Sequence, residues 1–178
     1  MNETFITMLA VGGKANSLGR VNDVIELVLQ DKSRLNELYN CLFNEDAWVR
    51  MRAADSLEKI CREHPDWLLP YVDKFFSDKL SESEQPSIQW HLAQIFREVT
   101  LTDRQKHAAV KWLTDRVSTK EVDWIVSANV MDTLAKFNRD GSFPKDELVR
   151  LIKIQQRHKS KSVVRRADKL LASLSHND

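Results

Sequence analysis

The sequence predicts an all-α chain: a right-handed α-α superhelix of about four to five helical hairpins, in a single domain over residues 1–178. Three observations carry that expectation. Apolar residues recur at helical spacing along nearly the whole chain. Glycine and proline number only four each, too few for the turns that many short strands would need. Three apolar columns also return at a nearly constant interval, which is the mark of a repeat.

In chain order, residues 2–11 form a short helix, Lys14 to Leu18 a loop, and Asn22 to Gln30 a second helix. Leu35, Leu38, Tyr39, Leu42 and Phe43 make one stripe, which breaks at Asn44-Glu45-Asp46. Val49, Ala53, Leu57, Ile60 and Cys61 make the next, running to His64. Pro65 then opens a helix, because a proline in the first turn forfeits no hydrogen bond. Its stripe holds Trp67, Leu68, Val72, Phe75 and Phe76. Ser81 to Pro86 is a loop, and Pro86 opens a helix through about Val99. A helix from Asp103 to about Val117 carries Ala109, Val110, Trp112 and Leu113. Another runs from Thr119 to Phe137, with Thr119 or Glu121 near its cap, and Asn138-Arg139-Asp140-Gly141 stops it. Pro144 opens the helix with Leu148, Val149, Leu151 and Ile152. The last helix runs from about Ser162 to Leu174.

The second helices align. Val49 matches Ile88, Val126 and Val163; Leu57 matches Phe96, Leu134 and Leu171; Ile60 matches Val99, Phe137 and Leu174, at offsets of 39, 38 and 37 residues. The expected division is two N-terminal helices over 1–31, repeats over 32–174 and a tail over 175–178. One hairpin of this size cannot bury its apolar face alone, so neighbours must stack into a continuous core.

On these residues the chain resembles the HEAT repeat family of α-solenoids. The strongest segment is Leu42 to Ile60, in which an Asn-Glu-Asp turn precedes Trp48-Val49-Arg50, Ala53-Ala54 and Leu57. Ser162 to Ala167 with Leu170-Leu171 is a looser copy. The middle repeats keep the columns but carry Ile88-Gln89 and Val126-Ser127 where the Val-Arg pair belongs. The resemblance implies that Asp46 caps a helix and that Arg50 ties adjacent repeats. It also implies that second helices line a concave face.

Composition narrows the function classes. The chain is 42% hydrophobic and 30% charged with a formal net charge of +1, a folded profile without a global field for nucleic acid or membrane. The charge is uneven: from Lys145 onward nine Lys/Arg face four Asp/Glu. Cys41 and Cys61 sit inside apolar helical patterns, which points to a reducing, cytoplasmic setting without a disulfide framework. The apolar run Phe5 to Val11 is seven residues long and follows Glu3 rather than basic residues, unlike an export signal. No run approaches the ~20 residues of a membrane span.

No catalytic, cofactor or metal constellation emerges. Gly12-Gly13-Lys14 fails as a phosphate loop because Met8 and Ala15 stand where glycine and Ser/Thr are required; it reads as a helix terminator. His64, His91, His107, His158 and His176 are scattered, and neither cysteine has a partner two residues away, against zinc. Serines lack the Gly-x-Ser-x-Gly setting. Of five tryptophans, Trp90, Trp112 and Trp124 are expected in the core, and Trp48 and Trp67 partly exposed.

Rotation by about 100° per residue places a polar strip opposite the core columns: Arg52, Asp55 and Lys59; His91, Gln94 and Glu98; Asn129, Asp132 and Lys136; then Arg166 and Lys169. This strip is the expected concave binding surface of a non-catalytic scaffold for a protein partner. A basic patch of Lys153, Arg157, Lys159, Lys161 and Arg165 is expected on the last hairpin. The alternative is a nucleic-acid binder: Trp48-Val49-Arg50 with Arg52-Ala53-Ala54 resembles a segment of the HEAT-like DNA glycosylases that act on alkylated bases. No residue matches their catalytic aspartate.

Overall fold

The computed structural model describes residues 3–12 and 17–175. Ten α-helices and three short 3-10 turns make up the regular structure of those residues, with no strand among them. The chain divides into two compact units, residues 1–100 and 101–178.

The first unit contains α1 (Phe5–Ala10), α2 (Val21–Gln30), α3 (Leu35–Asn40), α4 (Ala47–Glu63), α5 (Pro65–Ser77) and α6 (Pro86–Glu98). Helix α4 is its centre and packs against all five others. Its sequence suits that position. Val49, Leu57, Ile60 and Cys61 supply buried apolar surface, while Ala53, Ala54 and Ser56 are small enough to let neighbouring helices come close. Helix α5 begins at Pro65, as expected, and buries Leu68, Val72 and Phe75. Helix α6 begins at Pro86 and lies against α4 and α5.

The second unit contains α7 (Asp103–Val117), α8 (Trp124–Arg139), α9 (Lys145–Gln155) and α10 (Lys161–Ser175). Here α7 packs on α8 and α9, α8 on α9 and α10, and α9 on α10. Each of the four second helices buries its first column residue: Val49, Ile88, Val126 and Val163. The other two columns are buried in α4, α8 and the end of α6. In α10, however, Leu171 and Leu174 are only half-buried.

Polar side chains fix the register of successive hairpins. Asp46 caps α4 by accepting from Trp48 N at 2.8 Å. Arg50 donates to the carbonyls of Asn44 (2.7 Å) and Glu45 (2.8 Å) and to Gln85 Oε1 (2.7 Å). Gln85 answers by donating to Ala47 O at 2.9 Å, so the turn before α4 is tied to the start of α6. In the second unit Gln155 has this role. Its amide donates to Val117 O (2.9 Å) and Thr119 O (2.8 Å) and accepts from Ser127 Oγ (2.9 Å). Buried His158 adds a contact, with Nε2 2.8 Å from Val122 O while Nδ1 accepts from Ser160 N at 2.9 Å.

Three expectations are corrected. Helix α8 starts at Trp124, not Thr119, because Asp123 caps it by accepting from Ile125 N and Val126 N; Thr119 instead caps a turn by accepting from Glu121 N. Starting there leaves Trp124 ahead of the packed stripe and 51% exposed, not in the core. The stripe from Leu35 to Phe43 is not one helix but a six-residue helix continued by a 3-10 turn at Cys41–Phe43. Gly13, Lys14, Ala15 and His176 lie outside the described residues, as does most of the loop expected over 14–18.

Leu57 is fully buried at the centre of α4. Its replacement by alanine is expected to cost about 2–5 kcal/mol, the range for a buried leucine that leaves a cavity, read as a shift in the denaturant midpoint at unchanged slope.

Candidate interaction surface

In the first unit α4, α6 and α2 expose different rows. In α4 the row is Trp48, Met51, Asp55, Lys59, Arg62 and Glu63, at the three- and four-residue steps of one helix face. In α6 it is Trp90, Gln94, Arg97 and Glu98, and in α2 it is Asn22, Glu26, Leu29 and Gln30. Between α2 and α4 lies an open groove lined by Asn22, Ile25, Glu26, Leu29, Lys59, Arg62 and Glu63.

Two residues expected in this strip are not on the surface. Arg52 is 2% exposed and His91 5%. By rotation, Met51 falls nearly opposite the core columns, whereas Arg52 is roughly 90° away from that point. The flank so reached is covered by α1 and the segment after it. There the Arg52 guanidinium donates to three carbonyls: Leu9 O (2.6 Å), Gly12 O (2.7 Å) and Ser17 O (3.0 Å). Three carbonyl dipoles thus solvate a buried cation. The approach is close enough that a Cβ on Gly12 would lie 2.4 Å from Arg52 Nη2, so a larger residue there would displace the guanidinium from its carbonyls.

His91 turns inward for a comparable reason. Its Nδ1 sits 2.6 Å from Ser87 O and donates to it, while Nε2 accepts from the Trp90 indole at 3.2 Å. Asp55 Oδ1 lies 3.7 Å from the same Nε2, and Asp55 Oδ2 pairs with Lys59 at 2.9 Å. Burial pushes the Asp55 carboxyl up, but its contacts with His91 and with the Lys59 ammonium outweigh it, and the net shift is downward. Asp55, Lys59, Gln94 and Glu98 are all half-buried.

In the second unit Asn129, Asp132 and Lys136 are half-buried, whereas Arg166 and Lys169 are exposed. Arg166 forks onto Asp132, with Nε–Oδ1 2.7 Å and Nη2–Oδ2 2.5 Å, so this pair is largely self-satisfied. Asn129 donates to Ile125 O at 2.9 Å within its own helix. The basic residues Lys153, Arg157, Lys159, Lys161 and Arg165 are all exposed.

Sequence reasoning did not single out the exposed apolar residues near Arg52. Val11 (55%) and Leu18 (41%) stand next in the chain to Gly12 and Ser17, which accept from Arg52, and Trp48 (42%) lies on the same helix as Arg52. The Arg52 guanidinium lies 6.0 Å from the Trp48 ring centroid and donates to the carbonyls of Gly12 and Ser17, the chain neighbours of Val11 and Leu18. Val11 O and Gly19 are also in contact, so close that a Cβ on Gly19 would lie 2.1 Å from Val11 O. Only the Val-Leu-Trp content was legible beforehand; the grouping depends on tertiary contacts.

Both thiols are buried and poor nucleophiles: burial pushes Cys41 up to about 11 and Cys61 up to about 12. Among the described residues no group of three or more His, Cys, Asp or Glu is arranged to hold a metal ion. No described helix is long and apolar enough to cross a membrane.

The profile of the HEAT repeat domain family matches residues 13–108, more than half of the chain. The chain belongs to the HEAT repeat family. No curated protein and no solved structure matches it. In this HEAT chain the two roles implied for the signature residues are seen directly: Asp46 caps and Arg50 ties one repeat to the next. The match covers the whole first unit from its thirteenth residue and enters α7, so the second unit's repeats are recognised by their apolar columns.

Arg52→Met is expected to destabilise the protein by about 3 kcal/mol, because three carbonyls lose a charged donor. Gly12→Ala should destabilise as well, and the double variant should show strong non-additivity in a denaturation cycle. For Asp55 the folded pKa lies below the unfolded value of 3.8. Its contribution to stability is therefore complete above that value and lost as pH falls through the folded pKa. Asp55→Asn should flatten the acid side of the stability profile below about pH 4.

Proposed function

We propose that this HEAT-repeat chain is a non-catalytic interaction scaffold that holds a protein partner on the second-helix face of its first unit. The observation that carries the reading is the exposed group of Val11, Leu18 and Trp48. Half-exposed Met51 and Trp90 stand with Asp55, Lys59, Gln94 and Glu98 on the exposed rows of α4 and α6. Exposed apolar residues beside a mixed-charge row have the core-and-rim make-up of protein interfaces, in which Trp, Met and Arg are enriched. Singly scattered apolar residues need no explanation, but a rimmed group on a folded surface marks a contact site.

The backbone under this group is anchored. Arg52 holds the backbone at Leu9, Gly12 and Ser17 to α4, which lowers the ordering cost of binding at these positions. The polar row of Asn129, Asp132, Lys136, Arg166 and Lys169 contributes less in this proposal, because Asp132 and Arg166 already satisfy each other. A cytoplasmic location accords with the two buried free thiols.

Affinity capture from native lysate at low and moderate salt, with and without nuclease, tests the proposal. The expected result is a defined protein, recovered at both salts and unaffected by nuclease. Its recovery should fall at least tenfold for Trp48→Ala combined with Lys59→Glu, consistent with a tryptophan hot spot worth about 2 kcal/mol or more. Lys111→Glu, on the exposed face of α7, should leave it unchanged. Capture that is indifferent to the double variant, or recovery of nucleic acid alone, would overturn the assignment.

A further inference from the structure

The two units carry opposite charge. Residues 1–100 hold eleven Lys/Arg against sixteen Asp/Glu, whereas residues 101–178 hold sixteen against ten. Much of the second unit's charge is neutralised locally: Arg150 pairs with Glu147, Lys111 with Asp115 and Arg166 with Asp132. Lys120, Lys153 and Arg157 are different. All three are exposed, none has an ion pair among the described residues, and all three line one open groove of about 370 Å³ together with Ser118, Thr119 and Ile154. No carboxylate is among the described residues that line it.

We propose that this groove, between the α7–α8 turn and the end of α9, binds a compact, multiply charged phosphate anion of the diphosphate class. The inference is independent of the protein-binding face of the first unit. Lys153 lies in the last turn of α9 and Arg157 in the turn just beyond it, and both line the groove. Lys120 comes from the facing turn. Gln155 fixes the two walls to each other through Val117 O and Thr119 O, so the backbone that carries the cations is set before any ligand arrives. Thr119 Oγ1 accepts from Glu121 N, which leaves its hydroxyl hydrogen free to donate to an anion.

A competing reason for cations here is structural. Helices α7 and α9 both end at this place, and helix C-termini attract positive charge. Two half-charges do not account for three full cations, and Gln155 already satisfies one of the terminal carbonyls, Val117 O. The surplus is a convergent positive site in a concave setting, where lysines act as point charges and an arginine supplies a fork for phosphate oxygens. A single carboxylate would leave most of that charge unanswered. An extended polyanion would bind the exposed lysines of the α9–α10 region as well as it bound the groove.

Titration calorimetry on the full chain distinguishes these cases, with inorganic diphosphate, orthophosphate, ADP and a short DNA duplex as probes at low and moderate salt. Diphosphate is expected to bind, with orthophosphate at least tenfold weaker. Lys120→Ala and Arg157→Ala should each weaken diphosphate at least tenfold. Lys161→Ala, outside the groove, should change it less than twofold. Equal binding of ADP would identify a nucleotide as the source of the phosphate chemistry. All these lysines and arginines are exposed, so unchanged thermal unfolding is expected for every variant; Thr119→Val gives a second, uncharged probe, expected to weaken binding severalfold. Failure of diphosphate to bind would sink the proposal. So would equal sensitivity to Lys161→Ala, or DNA binding that diphosphate cannot displace.

Discussion

A helix with neighbours on several sides must bury polar side chains along with apolar ones, and α4 is in that position. Its packing against α1, α2, α3, α5 and α6 encloses Arg52, Ser56 and Glu58 together with Val49, Leu57 and Ile60. Each buried polar group then needs a partner from a neighbouring element or from its own helix. Arg52 finds three carbonyls near the N-terminus, Ser56 donates to Arg52 O at 2.8 Å, and Glu58 pairs with Arg62. The unit is thereby specified by directional contacts as well as by apolar volume. A stack held only by apolar columns would tolerate sliding by a turn; carbonyls that must meet a guanidinium do not.

The two units solve the register problem with different residues in related places. In the first, Arg50 and Gln85 reach across from one hairpin's turn to the next hairpin's second helix. In the second, Gln155 and His158 reach back from the end of a first helix to the preceding turn. Both devices hold interhelical loops, where backbone carbonyls would otherwise be left without donors. That explains why the Val-Arg signature can lapse in the middle repeats, at Ile88-Gln89 and Val126-Ser127, without loss of the repeat: a glutamine or a neutral histidine supplies the same donors from elsewhere.

Periodic information survived the passage from sequence to structure, and pairwise information did not. The columns at 37- to 39-residue offsets were legible because burial repeats along a stack. Pro65 and Pro86 marked helix starts because proline acts locally. The start of α8 was misplaced because Thr119, Glu121 and Asp123 are all competent caps, and the choice among them depends on where the turn before α8 is held by Gln155 and His158. Arg52 and His91 were assigned to the surface because a helical wheel treats polarity as exposure. It carries no knowledge of the carbonyls waiting at Leu9, Gly12 and Ser17, or of the one at Ser87. The charged residues on the last hairpin were legible as a cluster. Lys120 was not, since the turn that brings it to Lys153 and Arg157 is remote from them in sequence.

The same Arg52 clamp links stability to the proposed contact site. Two of the three apolar residues of that site, Val11 and Leu18, adjoin Gly12 and Ser17, whose carbonyls Arg52 holds to α4. Loss of the clamp would therefore remove the proposed contact site together with part of the fold, and a binding defect at Arg52 would not by itself identify a contact residue. Trp48 and Lys59 are better probes of recognition. They lie on the exposed row of α4, outside the hydrogen bonds that hold Leu9, Gly12 and Ser17 in place. Truncating Trp48 removes the exposed ring and leaves the guanidinium's three carbonyl partners intact.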